Sequence, residues 1–268
     1  MRLTDNVYQF GGSDMKLHQH FLRSMTDENI KAFIVCPYKL YYEFIDKKKS
    51  PVDWKQIVQH VVNKVVYSYF QLPIEQRNAT KILSLLEQFW SKVPIQKFES
   101  RIQFYTVAAK MTDYLIRYLT RETNPTPPLF LFEKFKANIE ELDVDLSLTF
   151  DVAEWSESSF IVKKYLVEAK PDMLMLYYYL TIVFSKKVFK KIPEKIEVIT
   201  ILDGKKHTYT PTPENMEEGI NYLKLIKHLL GDSSSFNELF TEEQCAVCPF
   251  ERVCERGARK GTENNYLS

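Results

Sequence analysis

A mixed α/β fold, a central sheet flanked by helices, follows from three observations in this sequence. Apolar residues recur with a helical period from residue 51 to residue 123. A proline-rich break, Asn124-Pro125-Thr126-Pro127-Pro128, then stops any helix. Beyond it the period changes to two, and strands then alternate with helices to about residue 230. Helices, a strand meander, a helix, a strand and a helix make a layered mixed fold.

Taken in order, residues 1–25 show no clear period and read as an irregular arm. Thr26 before Asp27 and Glu28 marks a helix start, because carboxylates favour the positive end of the helix dipole. Ile30, Phe33 and Ile34 form its apolar face. Pro37 interrupts it, and a second helical stretch continues through Leu40, Tyr41 and Phe44. Strong helical periods cover 54–70, 80–92 and 99–121. Segments 129–139, 143–153 and 160–169 read as a three-stranded meander, with turns near Glu140-Glu141 and Ser156–Ser159. Pro171 suits the first position of a helix, and 171–185 is apolar almost all round, as in a buried helix. A strand at 195–202, a turn at Asp203-Gly204, a short strand near 206–210 and a helix at 214–230 complete the core. The expected organisation is one domain over 1–268: an arm to residue 25, a helical region 26–123, a core 124–230 and a cysteine tail 231–268.

The hydrophobic share of 45% supports a sizeable core, and the net charge of +1 argues neither for nor against nucleic acid. No apolar run reaches membrane-spanning length, and Met1-Arg2-Leu3-Thr4 leads into polar residues, not a signal-peptide apolar region. A cytoplasmic protein with no membrane partner is expected. Lysines cluster at Lys47–Lys49, Lys186-Lys187, Lys190-Lys191 and Lys205-Lys206, and their simplest reading is a solvated surface.

The cysteines form one set. Cys36 stands alone, while Cys245, Cys248 and Cys254 follow as C-x2-C-x5-C. In a reducing compartment such clustering favours metal over disulfide, and a four-thiolate site would tie the two ends of the chain together. Pro37 and Pro249 place Cys36 and Cys248 before helix starts, where unpaired N–H groups stabilise thiolates. A four-cysteine zinc site usually comes as two close pairs, so one remote ligand plus C-x2-C-x5-C suits an iron–sulfur cluster better, although iron–sulfur spacings vary.

The third strand of the meander ends Leu166-Val167-Glu168-Ala169-Lys170. Alternation puts Glu168 and Lys170 on one face of that strand, about 7 Å apart. In the preceding strand Val144, Leu146, Leu148 and Phe150 alternate with polar residues that end at Asp151, so a hairpin brings Asp151 toward Glu168. Two adjacent carboxylates repel unless a cation lies between them, and all-oxygen ligands suit Mg²⁺. The plainer alternative is a surface E-x-K. His60, among Ile57, Val58, Val61 and Val62, reads either as a core or boundary residue or as a third ligand.

Together these pieces resemble the iron–sulfur, RecB-like branch of the PD-(D/E)XK nucleases, in particular the CRISPR-associated RecB-like exonucleases, with the AddB nuclease domain as a relative. The resemblance rests on Cys36-Pro37-Tyr38-Lys39-Leu40-Tyr41-Tyr42, then His60, Asp151, Glu168-Ala169-Lys170, Tyr177 and the terminal cysteines, in that order over roughly 26–256. It implies a restriction-endonuclease-like sheet and a Mg²⁺ or Mn²⁺ ion held by His60, Asp151, Glu168 and the Ala169 carbonyl. Lys170 would be the catalytic lysine. Tyr177 would match the tyrosine of the family's Q-x3-Y helix, and Cys36, Cys245, Cys248 and Cys254 would hold a 4Fe–4S cluster. Met173 stands where the family has glutamine and Gln56 where it has glycine, which points to altered substrate handling. The implied activity is exonucleolytic cleavage of single-stranded DNA ends, 5′ to 3′, with CRISPR-adaptation or recombination proteins as partners. An inactive iron–sulfur DNA-binding or assembly module, and a zinc-stapled structural protein, are the alternatives.

Overall fold

The computed structural model describes residues 23–121, 126–231, 245, 248–251, 253 and 254, the Ile45 side chain excepted. It divides into two compact units, each assembled from separated segments, not from consecutive blocks of chain. The first comprises Met1–Pro51, Lys136–Ser147 and Glu218–Ser268; the second comprises Val52–Phe135 and Leu148–Glu217.

In the first unit a short strand, β1 (Ser24–Thr26), leads into α1 (Asp27–Val35). The arm expected to be irregular up to residue 25 therefore ends in a strand; residues 1–22 lie outside the described residues. Thr26 caps α1 in the expected place. Its hydroxyl accepts from the Asn29 N–H at 3.2 Å, and the Asn29 side chain accepts from the Thr26 N–H at 2.6 Å. Pro37 opens α2 (Pro37–Leu40), which continues as a π-helical turn over Tyr41–Ile45. β1 pairs in parallel with the first residues of β3 (Val144–Trp155), Met25 opposite Leu146.

The second unit carries α3 (Trp54–Gln71), α4 (Ala79–Trp90) and α5 (Arg101–Thr120), close to the expected spans. Each starts on a side-chain cap, from Asp53, Asn78 and Ser100 respectively. Gln56 donates its N–H to Asp53 Oδ1 and accepts the Asp53 N–H, so its immediate task is to close that cap. β2 (Phe130–Ile139) pairs with β3, and β3 pairs antiparallel with β4 (Phe160–Leu166), which is the predicted meander. After α6 (Pro171–Phe189), β5 (Lys195–Thr200) joins β4 in parallel, and β6 (Lys205–Tyr209) returns antiparallel to β5. α7 (Glu214–Gly231) follows. The sheet is mixed, as expected.

Alternation along β5 sorts the helices. Ile199 joins the core of α3, α4 and α5, with Val58, Val62, Val65, Leu115, Val152 and Tyr165. Ile196 packs with Tyr178 and Ile182 of α6. An odd separation puts Ile196 and Ile199 on opposite faces, so the unit is helix, sheet, helix. Buried side chains within it supply about 1.5–3 kcal/mol each.

Two features of the strands differ from expectation. β4 ends at Leu166, so Glu168, Ala169 and Lys170 occupy the connection to α6, not the strand. Pro171, with its fixed φ and missing N–H, begins α6 directly after them. Secondly, Phe150 packs against Phe184 and Phe189 of α6, whereas Val152 lies in the core of α3, α4 and α5. Strict alternation would give both residues one face, so β3 changes its facing at Asp151.

The β5–β6 turn contains Gly204 at φ +65°, whose carbonyl accepts the Tyr118 hydroxyl at 2.5 Å. A methyl group there would fall within the Tyr114 ring. Gly204→Ala is expected to cost about 1–3 kcal/mol, from both backbone strain and displacement of that ring. Urea denaturation checks this, and Tyr114→Ala in the same chain should recover the steric part while leaving the strain.

Candidate functional site

The β3–β4 ladder runs from Trp155↔Phe160 to Val152↔Lys163 and stops there. Beyond it the β4 main chain must find other partners, because unpaired N–H and C=O groups are costly away from water. Asp151 supplies one: its Oδ2 accepts the Tyr165 N–H at 3.2 Å. Gln59 of α3 supplies two more, donating to the Tyr165 carbonyl at 2.8 Å and accepting the Val167 N–H at 2.9 Å. A carboxylate and a carboxamide thus stand where a neighbouring strand would be.

Asp151 is 3% exposed. Its Oδ1 accepts from Lys164 Nζ at 2.6 Å, and that ammonium also reaches the Thr149 carbonyl at 3.4 Å. It lies 5.2 Å from the centre of the Tyr177 ring, a cation–π contact. Tyr177 is buried in α6, and so is Met173.

Glu168 is exposed and paired with Lys55 of α3 at 2.5 Å, the side chains 54% and 44% accessible. A pair this open contributes at most about 1 kcal/mol. Lys170 is the N-cap residue of α6. Its carbonyl accepts the Met173 and Leu174 N–H groups at 3.0 and 3.1 Å, and its side chain is exposed. His60 is exposed on α3, so it is not the core residue its valine neighbours suggested.

The structure therefore brings Asp151 to Lys164 and Tyr177, and Glu168 to Lys55. Among the described residues no group of three or more His, Cys, Asp or Glu side chains is arranged to hold a metal ion. Asp151 and Glu168 supply the hard oxygen donors that a divalent cation takes, but here each is engaged by its own lysine. Gln59, Lys164 and Lys55 were missed in the sequence. A lysine opposite an aspartate on a hairpin follows from register, but the glutamine has no local signature.

In the first unit the four cysteines are unpaired by disulfide and half-buried. Burial pushes the Cys36 thiol above its ordinary range, opposed by the Lys39 and Tyr38 N–H groups and reinforced by Cys248 and Cys245. Burial likewise raises Cys248, opposed by the Phe250 N–H and by Lys39, with Cys254 and Cys245 adding to the rise. The thiols thus lie within electrostatic reach of one another. Cys36 is the N-cap residue of α2, as expected, while Cys248 opens a turn in which the Cys254 N–H donates to the Phe250 carbonyl. Protein contacts join the same segments: the Tyr42 hydroxyl donates to the Val253 carbonyl at 3.2 Å, and Tyr42 and Phe250 pack ring to ring at 5.3 Å. Four soft donors are the chemistry that a thiolate-bound metal takes, but among the described residues the thiols are not gathered into a metal-holding group. No helix among the described residues is long and apolar enough to cross a membrane.

Gln59→Leu is expected to leave the Tyr165 carbonyl and the Val167 N–H unpaired, costing about 1–3 kcal/mol, read as a lower urea midpoint at unchanged slope. For the metal-free chain, raised folded thiol pKa values mean that the unfolded chain ionises first. The stability they allow is complete below the unfolded thiol value of about 8.5 and falls as pH rises through the folded one. Denaturation midpoints at pH 7 and at about pH 9.5 should therefore fall less in a Cys36→Ser, Cys248→Ser double variant than in the parent.

No family model matches the chain, and no curated protein matches it. One solved structure similar to it is that of a "Putative exonuclease" from Eubacterium rectale, at 12% identity and TM-score 0.49, covering 90% of this chain and 91% of that one. A superposition at that score and identity establishes neither topology nor chemistry.

Proposed function

We propose that the protein is a metal-dependent deoxyribonuclease of the iron–sulfur RecB-like kind, acting from single-stranded DNA ends. The observation that carries this reading is the setting of Asp151. It is a carboxylate buried at the point where the β3–β4 ladder ends and β3 changes facing, and the chain leaving β4 carries Glu168-Ala169-Lys170. Such irregularities in strands often re-aim a side chain at a site.

Asp151 and Glu168 would hold the Mg²⁺ or Mn²⁺ ion, with His60 and the Ala169 carbonyl as further ligands. When bound, that ion supplies charge neutralisation at a phosphodiester and lowers the pKa of a water. Lys170, exposed at the start of α6, would set its ammonium against the charge developing on the phosphate. Tyr177 holds Lys164 through its ring face and so helps fix Asp151. Surface lysines would follow the phosphates and exposed aromatic rings would stack bases. Cys36, Cys245, Cys248 and Cys254 would hold a 4Fe–4S cluster, which supplies a covalent clamp and no step of the cleavage. The proposed polarity is 5′ to 3′, and proteins of CRISPR adaptation or recombination are the proposed partners.

One observation favours a second reading. Both carboxylates carry lysine partners, as they would in a DNA-binding module that no longer cleaves. A single experiment separates the two. Protein purified without oxygen should be brown, and with Mg²⁺ or Mn²⁺ it should shorten end-labelled single-stranded DNA. Lys170→Ala should lower the rate about 10²-fold or more. Equal activity in variant and parent would sink the proposed site. DNA binding without cleavage in either would favour the inactive module, and a colourless protein with stoichiometric zinc would remove the cluster.

A further inference from the structure

We infer that the sheet end opposite Glu168 carries a second nucleic-acid contact, in which Trp155 stacks a base and Lys186, Lys190 and Lys191 hold phosphates. The inference rests on the nucleic-acid part of the proposed function and not on the cleavage corner. Trp155, the last residue of β3, is 56% exposed. It stands directly opposite Phe160, so the two side chains share a face of the sheet. Phe160 packs against Phe189, the last residue of α6, at 5.8 Å between ring centres. The chain then continues into Lys190 and Lys191, both exposed, and Lys186 is exposed one turn earlier. An indole and three ammonium groups are thus gathered at one end of the sheet.

A lysine-rich helix end has a plain explanation, because cations favour the negative end of the helix dipole. That accounts for Lys186 and Lys187, which lie in the last turn of α6. It does not account for Lys190, whose backbone is left-handed at φ +60°. Glycine or asparagine usually takes such a position, since other side chains strain there. A charge is kept where the backbone favours its loss. Among the described residues no ion pair engages Lys186, Lys190 or Lys191. The carboxylates of the β3–β4 turn and the α6–β5 loop are Glu157 and Glu194. Glu194 accepts from the Ser158 hydroxyl at 3.1 Å and lies 3.9 Å from Lys195. The Ser156 and Ser158 hydroxyls hold its carboxyl below the usual range.

Hydrogen bonds fix this surface. The Ser159 hydroxyl donates to the Ile192 carbonyl at 2.8 Å, and the Glu194 N–H donates to the Phe160 carbonyl at 2.8 Å. They tie the turn that follows Trp155 to the loop that carries Lys190 and Lys191. β4 runs from Phe160 to Leu166, so the surface lies about 20 Å along the strand from the end that leads to Glu168. At 3.4 Å per step, about six nucleotides of a duplex strand span that length. The two ends therefore engage different nucleotides of one strand. An exposed indole offers its face to any base, so the contact is expected to tolerate sequence.

The test measures DNA binding without added divalent ion, so cleavage plays no part. Anisotropy of dye-labelled oligothymidylate gives the affinity at several salt concentrations. The proteins are the parent, Trp155→Leu, Lys170→Ala and a triple variant, Lys186→Gln, Lys190→Asn, Lys191→Gln. The triple variant is expected to lower the slope of log affinity against log salt by about 2. Trp155→Leu is expected to bind about tenfold more weakly with an unchanged slope. Unlabelled oligothymidylate should quench the parent's tryptophan emission, and most of that quench should vanish in Trp155→Leu, because Trp54 and Trp90 pack against the helical core. The parent's affinity and slope in the triple variant, or an undiminished quench in Trp155→Leu, overturns the inference. Binding lost only in Lys170→Ala overturns it and leaves the proposed function standing. Tighter binding of the parent to phosphatidylserine vesicles than to DNA, lost in the triple variant, overturns it in favour of a membrane surface. A parent that binds no DNA overturns the inference and the proposed function together.

Discussion

The end of the β3–β4 ladder governs what lies around it. A strand that continues past its neighbour exposes main-chain donors and acceptors, and in a buried setting these must be answered. Here the answers come from two side chains, Asp151 on β3 and Gln59 on α3. Each therefore has a structural duty that fixes its position. The other oxygen of Asp151 accepts from Lys164. Gln59 pins α3 to the residues just before Glu168, which brings Lys55, one helical turn away, to the Glu168 carboxylate. The chemistry available at this corner is a consequence of how the backbone was satisfied.

Much of this could be read from the chain, and the reasons are physical. Helices α3, α4 and α5 are long and strongly periodic, and their polar caps, Asp53, Asn78 and Ser100, mark where they begin. The meander was legible because Glu140-Glu141 and Ser156–Ser159 interrupt a clean alternation. The end of β4 was not, because Val167 continues the apolar pattern, whereas the strand stops where its register with β5 ends, at Leu166↔Thr200. The change of facing at Asp151 was invisible for the same reason: Phe150 and Asp151 alternate faultlessly in sequence. Among the site residues, type and order were legible, but partners were not. Whether Asp151 meets a lysine, a backbone N–H or a second carboxylate depends on contacts across the sheet that no local period encodes.

The cysteine site rests on a different balance. Tyr42, Phe250 and Val253 already bring the Cys36 segment and the Cys248 segment together through an aromatic contact and a hydrogen bond. Such contacts contribute about 0.5–1.5 kcal/mol each, far less than bonds from thiolate to metal. Protein packing therefore selects the arrangement, while a bound metal would make it persist. The raised Cys36 and Cys248 thiols express the cost of that arrangement without a cation: burial and mutual repulsion both oppose the charged form.

The interleaving of the two units also has a consequence in time. The second unit is built from residues between 52 and 217, whereas the first needs segments from before 51, from 136–147 and from after 218. During synthesis the second unit has all its parts while the first still lacks its last one. Pairing of β1 with β3 joins residues more than a hundred positions apart, and docking of Tyr42 on Phe250 spans most of the chain. Loop closure over such distances is slow compared with the local helices α3, α4 and α5. Sheet and helices are then expected to assemble first and the cysteine segments last.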